Sequence, residues 1–334
     1  MLIRQLQYLV ALAKYGHFGR AAEACRVSQP TMSSAIRQLE LELGTSLVRR
    51  GNRFHGLTPD GEVVLNWSRR ILAECEAMRE ELNEQPEGIA GSLRLGGVPS
   101  ALPVIPILTT QMARLHPRSC IQVKERVEKT LIDELLRYEV DCALIYRTMV
   151  DEPKFQTTLP LFKERYVLLT PVDGVYGDRS SVTWEEVAAV PLCLPARDSR
   201  FRDIIDGFIE PYHAKSMQIE TDSLLPLCAH VCSGDWSTIM PHAFLYPFGA
   251  PNGTKTIAIE GGKGSEDICI AALQGATLPP LVRELFRIAN ETDMVREIRA
   301  ALGMPINAPN EVRPEFDVRA SNYEDKSPNA IVRS

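Results

Sequence analysis

The segment RVSQPTMSSAIRQLE, residues 26–40, constrains the fold of this chain more than any other stretch. Ser28 can cap a helix because its hydroxyl accepts a hydrogen bond from a first-turn N–H group, and Pro30 is tolerated in the first turn. The residues that follow place one apolar stripe at helical spacing, made of Met32, Ala35, Ile36, Leu39 and Leu43. The segment therefore predicts a helix that starts abruptly after a tight turn, with Gly44 at its end.

A shorter helix is predicted at about residues 19–25, joined to this one by the three-residue turn 26–28. Ala21 and Ala22 are small enough to let a neighbouring helix approach closely. Two helices joined in this way form a helix-turn-helix, whose second helix can enter the major groove of DNA.

The outward face of the second helix is unusual, because an ordinary surface helix would carry Glu and Lys there. Small residues let a helix lie close to base edges, hydroxyl and amide groups can hydrogen-bond to bases, and acidic residues would repel phosphates. We therefore expect this face to contact DNA, through Gln29, Pro30, Thr31, Ser33, Ser34 and Arg37.

Arg49, Arg50 and Arg53 surround Gly51 just after the second helix. The pattern predicts a two-stranded hairpin, or wing, that contacts backbone phosphates or the minor groove. Alone, these arginines would indicate only a solvated surface; beside a helix-turn-helix, they indicate DNA contact.

The stretch AAEACRVSQPTMSSAIRQLELELGTSLVRR, followed by LTPDG, resembles the winged helix-turn-helix of LysR-type transcriptional regulators. The resemblance is dense over residues 2–65, and the layout fits the family to about residue 300. It implies that Gln29, Pro30, Thr31, Ser33 and Arg37 face DNA and that Arg50 and Arg53 lie in the wing. The chain departs from the family at Ser34 and Ala35, where longer polar or basic side chains are common, so DNA shape is expected to contribute to recognition.

The charge distribution agrees with a nucleic-acid partner. The formal net charge is -6, but residues 1–58 hold eight basic and three acidic residues, which gives +5 there and -11 in the remainder. A basic head on an acidic body indicates that the head meets a polyanion.

A single long helix is predicted from Thr58 to about Glu84, followed by a hinge to Gly91. Its apolar residues form a short, imperfect heptad seam, made of Val64, Ser68, Ile71, Cys75, Met78 and Leu82. Such a seam packs either on its own domain or on a second copy. The family resemblance favours a homodimer, or a homotetramer, that binds a double-stranded DNA operator with dyad symmetry.

From Gly91 strand-like and helical segments alternate, which predicts α/β lobes with mostly parallel sheets. The resemblance implies a two-lobed effector-binding domain built like a periplasmic binding protein, with the chain crossing between the lobes near 162–170 and 265–272. The predicted units are a winged helix-turn-helix (1–58), a linker helix and hinge (59–90), an effector-binding domain (91–303), made of lobe I (91–161 plus 273–303) and lobe II (163–265), and a mobile tail (304–334).

A cleft between the lobes is the expected ligand site, since strand ends and helix N-termini meet there and favour anions. The predicted effector is a small carboxylate or another anion. The candidate residues are Ser100, Ala101, Arg147, Thr148, Ser199, Thr221 and Ser237. Simple helix capping is an equally good account of Ser100, Ser199 and Thr221.

Neither catalytic motifs nor clustered metal ligands occur, and GGKGS at 261–265 lacks P-loop spacing. We expect no enzyme activity, no cofactor, no metal, no membrane span and a cytoplasmic location; the resemblance adds RNA polymerase as a partner. The predicted function is a ligand-responsive, sequence-specific DNA-binding transcriptional regulator. A solute-binding protein or an enzyme with a structural N-terminus is the weaker alternative.

Eight scattered cysteines leave a redox-sensing body open as the closer alternative. Peroxide-sensing members of the family carry a reactive cysteine near the helix opening in the second lobe. This chain reads Asp198, Ser199 and Arg200 at that place, and Cys193 lies on the preceding strand. Packing is the default interpretation of these thiols.

Overall fold

The computed structural model describes residues 1–50, 54–82, 88–150, 155, 157–197, 199–212, 217–261, 266–273 and 278–301. The predicted tail lies outside the described residues. The described part forms an N-terminal helical domain, a long helix and two α/β lobes. The N-terminal domain and each lobe have their own apolar core. The predicted fold class is therefore confirmed.

The N-terminal domain contains α1 (Ile3–Tyr15), α2 (Phe18–Ala24), α3 (Gln29–Leu43), β1 (Val48–Arg50) and β2 (Phe54–Leu57). The three helices enclose a small core, in which Leu9, Met32 and Leu39 are fully buried. The two strands pair antiparallel and form the wing.

The helix α4 (Pro59–Leu82) follows the wing without a break. Thr58 caps it, since its hydroxyl oxygen accepts a hydrogen bond from the N–H of Gly61 at 2.9 Å. The first part of the predicted seam packs on the helix's own domain, because Val64 and Ile71 lie against the core of the N-terminal domain. Met78 and Leu82 are exposed.

The first lobe is built on a five-stranded sheet of order β4-β3-β5-β13-β6. Its strands are β3 (Gly91–Gly97), β4 (Ser119–Glu125), β5 (Cys142–Tyr146), β6 (Thr157–Lys163) and β13 (Asp267–Ala272). Its helices are α5 (Ile105–Leu115), α6 (Glu128–Leu136), α10 (Pro280–Glu291) and α11 (Met294–Ala301). The central strand β5 is completely buried.

The second lobe has a four-stranded sheet of order β11-β7-β12-β8 and a separate parallel pair, β9 with β10. Its strands are β7 (Tyr166–Pro171), β8 (Ser181–Thr183), β9 (Leu192–Pro195), β10 (Met217–Thr221), β11 (Thr238–Pro241) and β12 (Thr254–Glu260). Its helices are α7 (Trp184–Ala188), α8 (Arg200–Ile209) and α9 (Leu224–Cys232).

The prediction of mostly parallel sheets is wrong for the second lobe, where β7 pairs antiparallel with both β11 and β12. In the first lobe, β13 is antiparallel to both of its neighbours. The physical reason is the double crossing of the chain. β5 and β6 run toward the second lobe, whereas β13 returns from the second lobe into the first. β13 is therefore antiparallel to both of them.

The first crossing is short, since only Glu164 and Arg165 separate β6 from β7. The N–H of Glu164 donates to the carbonyl of Glu266 at 2.8 Å, which holds the two crossings side by side. Residues 267–272, which the sequence assigns to the second crossing, form β13 inside the sheet of the first lobe. The hinge between the lobes therefore lies at Glu164–Arg165 and just before Asp267.

Candidate DNA interface and ligand cleft

The start of α3 is fixed by its cap. The Ser28 hydroxyl accepts a hydrogen bond from the N–H of Thr31 at 3.3 Å and lies 2.7 Å from the Thr31 hydroxyl. Met32 and Ile36 are buried against the other helices. Because these contacts fix the rotation of α3 about its axis, its opposite face must point outward.

The outward face of α3 carries the predicted DNA-contacting residues. Most are exposed, namely Gln29, Pro30, Thr31, Ser34 and Arg37. Ser33 is half-buried, so it lies at the edge of this face rather than at its centre. The exposed surface is free of carboxylates until Glu42, one turn beyond Arg37.

The wing is positioned by an aromatic contact, in which the rings of Phe18 and Phe54 meet edge to face at 6.2 Å. Arg50 lies on β1 and pairs with Phe54 across the hairpin, while its side chain is outside the described atoms. Arg53 lies outside the described residues. Arg49 is exposed beside them.

Glu40 has a structural role that the sequence did not indicate. Its carboxylate is buried and accepts hydrogen bonds from the N–H groups of Leu47 and Val48, at 2.9 and 3.1 Å. These bonds tie the end of α3 to the start of the wing.

The lobes enclose a cavity of about 50 Å³. The first lobe contributes the turn after β3, the start of α6 and the end of β5; the second contributes the end of β9 and the starts of α8 and α9. The lining residues are Pro99, Ser100, Val127, Glu128, Tyr146, Pro195, Ala196, Ser199, Phe201, Thr221, Asp222, Ser223 and Leu224.

Three of the predicted effector residues, Ser100, Ser199 and Thr221, line this cavity. Ser199 caps α8 by accepting from the N–H of Arg202 at 3.2 Å, as expected of a residue that opens a helix. Thr221 does not begin a helix as predicted: it ends β10, and α9 starts at Leu224.

The other four predicted effector residues do not line the cavity. Ala101 is buried in the core of the first lobe, and Ser237 is buried against the Thr170 hydroxyl at 2.9 Å. Arg147 and Thr148 are exposed, and the Thr148 hydroxyl donates to the Glu266 carboxylate at 3.0 Å. Arg147 and Thr148 follow the strand β5, but the last residue of that strand, Tyr146, is the one that lines the cavity.

A chain of buried polar groups runs inward from the cavity wall. The Ser100 hydroxyl lies 3.0 Å from the Tyr146 hydroxyl, which donates to Glu164 Oε2 at 3.0 Å. Tyr166 donates to the same oxygen, also at 3.0 Å. Glu164 therefore receives one phenol from each lobe at the hinge.

Glu164 is fully buried, and burial raises its pKa from 4.5 to about 7, although the hydrogen bonds from Ser100 and the two tyrosines oppose the rise. Its other oxygen, Oε1, has no hydrogen-bond partner among the described residues. The sequence did not reveal the buried Glu164 carboxyl, because Lys163, Glu164 and Arg165 have the pattern of a charged surface turn. A sequence signal for a buried hydrogen-bond partner is Tyr146, because it places a hydroxyl group at the end of an otherwise apolar strand.

Glu128 joins the lobes across the mouth of the cavity. It is the first residue of α6, is only 4 % exposed and accepts a hydrogen bond from the N–H of Arg200 at 3.3 Å. Burial raises the pKa of Glu128. The Arg200 side chain turns away to Glu266, at 2.6 Å. The sequence did not single out Glu128, because a Glu in the first turn of a helix is ordinary.

The described thiols do not supply an activated cysteine at the cleft. Ser199 caps α8, and Cys193 is buried on the preceding strand, where burial raises its pKa to about 11. Burial likewise raises the pKa of Cys228 to about 11 and that of Cys269 to about 12. A reactive thiol needs a lowered pKa, so these three are packed as small apolar side chains.

Within the described part of the chain, no group of three or more metal-ligating side chains comes together. No helix there is both long enough and apolar enough to cross a membrane.

Two family models match the chain. Residues 3–62 match the model described as bacterial regulatory helix-turn-helix protein, lysR family, and residues 86–293 match the LysR substrate binding domain. The boundary between the matches falls between residues 62 and 86, a stretch that contains most of α4.

Curated relatives give the same result. The chain is 32 % identical over 248 residues to a hydrogen peroxide-inducible genes activator of Pectobacterium carotovorum, covering 72 % of this chain and 80 % of that protein. It is 27 % identical over 301 residues to a protein of the same name from Haemophilus influenzae, covering 89 % and 98 %.

Two solved structures are similar over most of their length. A full-length OxyR variant from Pseudomonas aeruginosa has a TM-score of 0.70 at 27 % identity, covering 88 % of this chain and 98 % of that one. Full-length CbnR complexed with its target DNA has a TM-score of 0.61 at 20 % identity, covering 87 % and 99 %, and supports the fold alone. From its two matched domains, its relatives and its fold, the chain belongs to the LysR family and is a DNA-binding transcriptional regulator rather than an enzyme.

Proposed function

We propose that this regulator reads a dyad operator through α3 and the wing, and that a small molecule bound between its lobes controls the outcome. The observation that carries the DNA contacts is the exposed, carboxylate-free face of α3, which holds Gln29, Pro30, Thr31, Ser34 and Arg37. Arg50 and Arg53 of the wing complete the proposed contact set, with Ser33 at its edge.

The experiment uses the full-length chain and operators selected from a random duplex library. The selected duplexes should carry dyad symmetry and should bind far more tightly than scrambled duplexes of equal length. Binding should weaken steeply between 50 and 200 mM salt, because each phosphate contact releases counterions. Equal binding to selected and scrambled duplexes at every salt concentration would contradict specific recognition.

Ser34→Glu tests the proposed face directly, because the new carboxylate would lie against phosphates. We expect at least a hundredfold loss of operator affinity, whereas the matched Ser34→Gln variant, of similar size and without charge, should lose about tenfold or less. Retained tight binding by Ser34→Glu would mean that another face of α3 meets DNA.

Dimerisation is proposed through α4. Its exposed apolar residues are Val63, Trp67, Met78 and Leu82. A second copy packed on this surface would bury them and present two α3 helices together. The units proposed around it are the DNA-binding head (1–58), the linker (59–90) and the effector domain (91–303), with RNA polymerase as the further partner that a transcriptional regulator engages.

The ligand site is proposed at the cavity between the lobes, where Ser100, Ser199 and Thr221 meet. Any small molecule that is retained by the purified full-length protein should be identified by mass spectrometry and then titrated into the operator-binding assay. The Ser100→Ala variant should lose the response, and the matched Ser92→Ala variant, at an exposed position of β3, should keep it. Equal responses from both variants would exclude the cleft.

A redox-responsive regulator is the second candidate function, favoured by the names of the relatives. Replacing all eight cysteines with serine distinguishes a redox-responsive regulator from one that is controlled by a bound ligand. If hydrogen peroxide alters operator binding by the natural chain but not by the cysteine-free chain, a thiol is the sensor. If regulation persists without cysteines, the redox candidate is eliminated.

A further inference from the structure

The wall of the cavity carries negative charge and no compensating positive charge. Glu128, nine-tenths buried, and Asp222 are the charged lining residues, and none of the other described residues that line the cavity is Lys, Arg or His. This lining is unsuited to the anionic ligand that the sequence predicts, because a carboxylate effector would face Glu128 in a poorly solvated space.

The directions of the hydrogen bonds behind the cavity wall also disfavour an anionic ligand. Tyr146 has one hydroxyl proton, and it goes to Glu164 when that carboxyl is ionised. The Ser100 hydroxyl therefore donates inward, to the Tyr146 oxygen across their 3.0 Å contact or to the Glu164 carboxylate. Because its proton is used inward, Ser100 presents only lone pairs to the cavity.

The N-terminus of α8 does not supply free donors in their place. At the start of α8, the N–H of Arg200 already donates to Glu128 and the N–H of Arg202 donates to the Ser199 hydroxyl. The Ser199 proton goes to the carbonyl of Ala196 at 3.3 Å. The groups that attract anions to helix starts are thus occupied by the chain's own oxygens.

We propose that the cleft selects a small ligand with a positively charged, hydrogen-bond-donating head of the ammonium or amidinium class. Glu128 is its charge partner, and Ser100 is a neutral acceptor beside it. The cavity of about 50 Å³ holds about four water-sized groups, which suits a head of that size. The inference rests on the proposed function and names the ligand class of that same site.

Acetamidinium, acetamide and acetate test the proposal, because the three have the same number of heavy atoms and differ in charge. Their binding to the full-length chain at pH 8 can be measured by ligand-observed NMR and by calorimetry. Acetamidinium should bind about tenfold more tightly than acetate or better, with acetamide between them, since a charge-assisted hydrogen bond is roughly twice as strong as a neutral one.

Variants assign the charge preference to a residue. Glu128→Gln should abolish the preference for acetamidinium, and Glu128→Asp should retain it in part. The matched Glu125→Gln variant removes the same charge from an exposed position on β4 and should bind like the natural chain. Melting curves of all variants report whether each one is folded.

Acetate binding most tightly, none of the three probes binding, or Glu128→Gln keeping the full preference would each overturn the inference. These results leave the proposed function standing if a molecule retained by the protein still changes operator binding. If neither a retained molecule nor any probe changes operator binding, the proposed ligand control itself fails.

Discussion

Replacing Glu164 with glutamine is expected to remove a pH dependence from the stability of the effector domain. Glu164 is buried at the hinge, where Tyr146 and Tyr166 donate to it and the Glu128 charge also raises its pKa. No described cation pairs with its carboxylate. Glutamine keeps the shape and one acceptor oxygen but has no charge at any pH.

The sign follows from the two pKa values, 4.5 when the chain is unfolded and about 7 when it is folded. Between them the folded state holds a proton that the unfolded state has lost, so the unfolding free energy falls as pH rises through this window. Each pH unit corresponds to about 1.4 kcal/mol, so ionisation of Glu164 costs about 3 kcal/mol by pH 8. Glu164→Gln should therefore gain about 3 kcal/mol relative to the natural chain between pH 4.5 and 8.

Urea unfolding at a series of pH values measures this difference, with fluorescence of the buried Trp184 reporting on the second lobe. The comparison between variant and natural chain cancels the titrating groups that do not interact with Glu164. Glu125→Gln, at an exposed position, should show a difference from the natural chain that barely changes with pH. A pH-independent difference for Glu164→Gln would refute the argument, because it would mean that the carboxyl does not titrate in this window.

Two further predictions concern stability. Ser28→Ala removes the cap of α3, in which the Ser28 hydroxyl accepts a hydrogen bond from the Thr31 N–H at 3.3 Å. The variant should lose about 1 kcal/mol of unfolding free energy, measured by thermal or urea unfolding of the N-terminal domain. No loss would show that the cap is not stabilising. Arg202→Met removes a guanidinium that is 1 % exposed and donates to the Pro195 carbonyl at 2.6 Å and to Asp206 at 2.7 Å. The unfolding free energy should fall by about 2 kcal/mol, since the carboxylate partners of Arg202 are partly exposed and become solvated. Arg197→Met is the control, because Arg197 contacts Glu220 as Arg202 does but is 69 % exposed. It should change the unfolding free energy by less than about 0.5 kcal/mol. Equal losses from both variants would contradict the burial argument.

The exposed face of α3 was predictable because it is local. A cap at Ser28, an apolar stripe through Met32 and Ile36 and a tight turn before them fix one helix, and the face opposite the stripe follows from the helical period. Only Ser33 differs in degree, since it is half-buried.

The lining of the cavity between the lobes was predictable in part. Ser100 and Ser199 follow strands and precede helices, which is a signal within a few residues of chain. The seven candidates nevertheless include Arg147, which also follows a strand, and Ser237, which precedes one, and neither lines the cavity. Local pattern finds the ends of strands, but it does not say which ends meet across two lobes.

The sequence by itself determined the family, the order of the domains and the face of α3, because each depends on residues close together in the chain. Only the tertiary structure decided the polarity of the cavity, because its groups are far apart in sequence. Glu128, Tyr146 and Glu164 come from three different elements, and the double crossing of the chain brings them together. Burial then raises the pKa of all three groups above its ordinary value, which no short stretch of sequence displays.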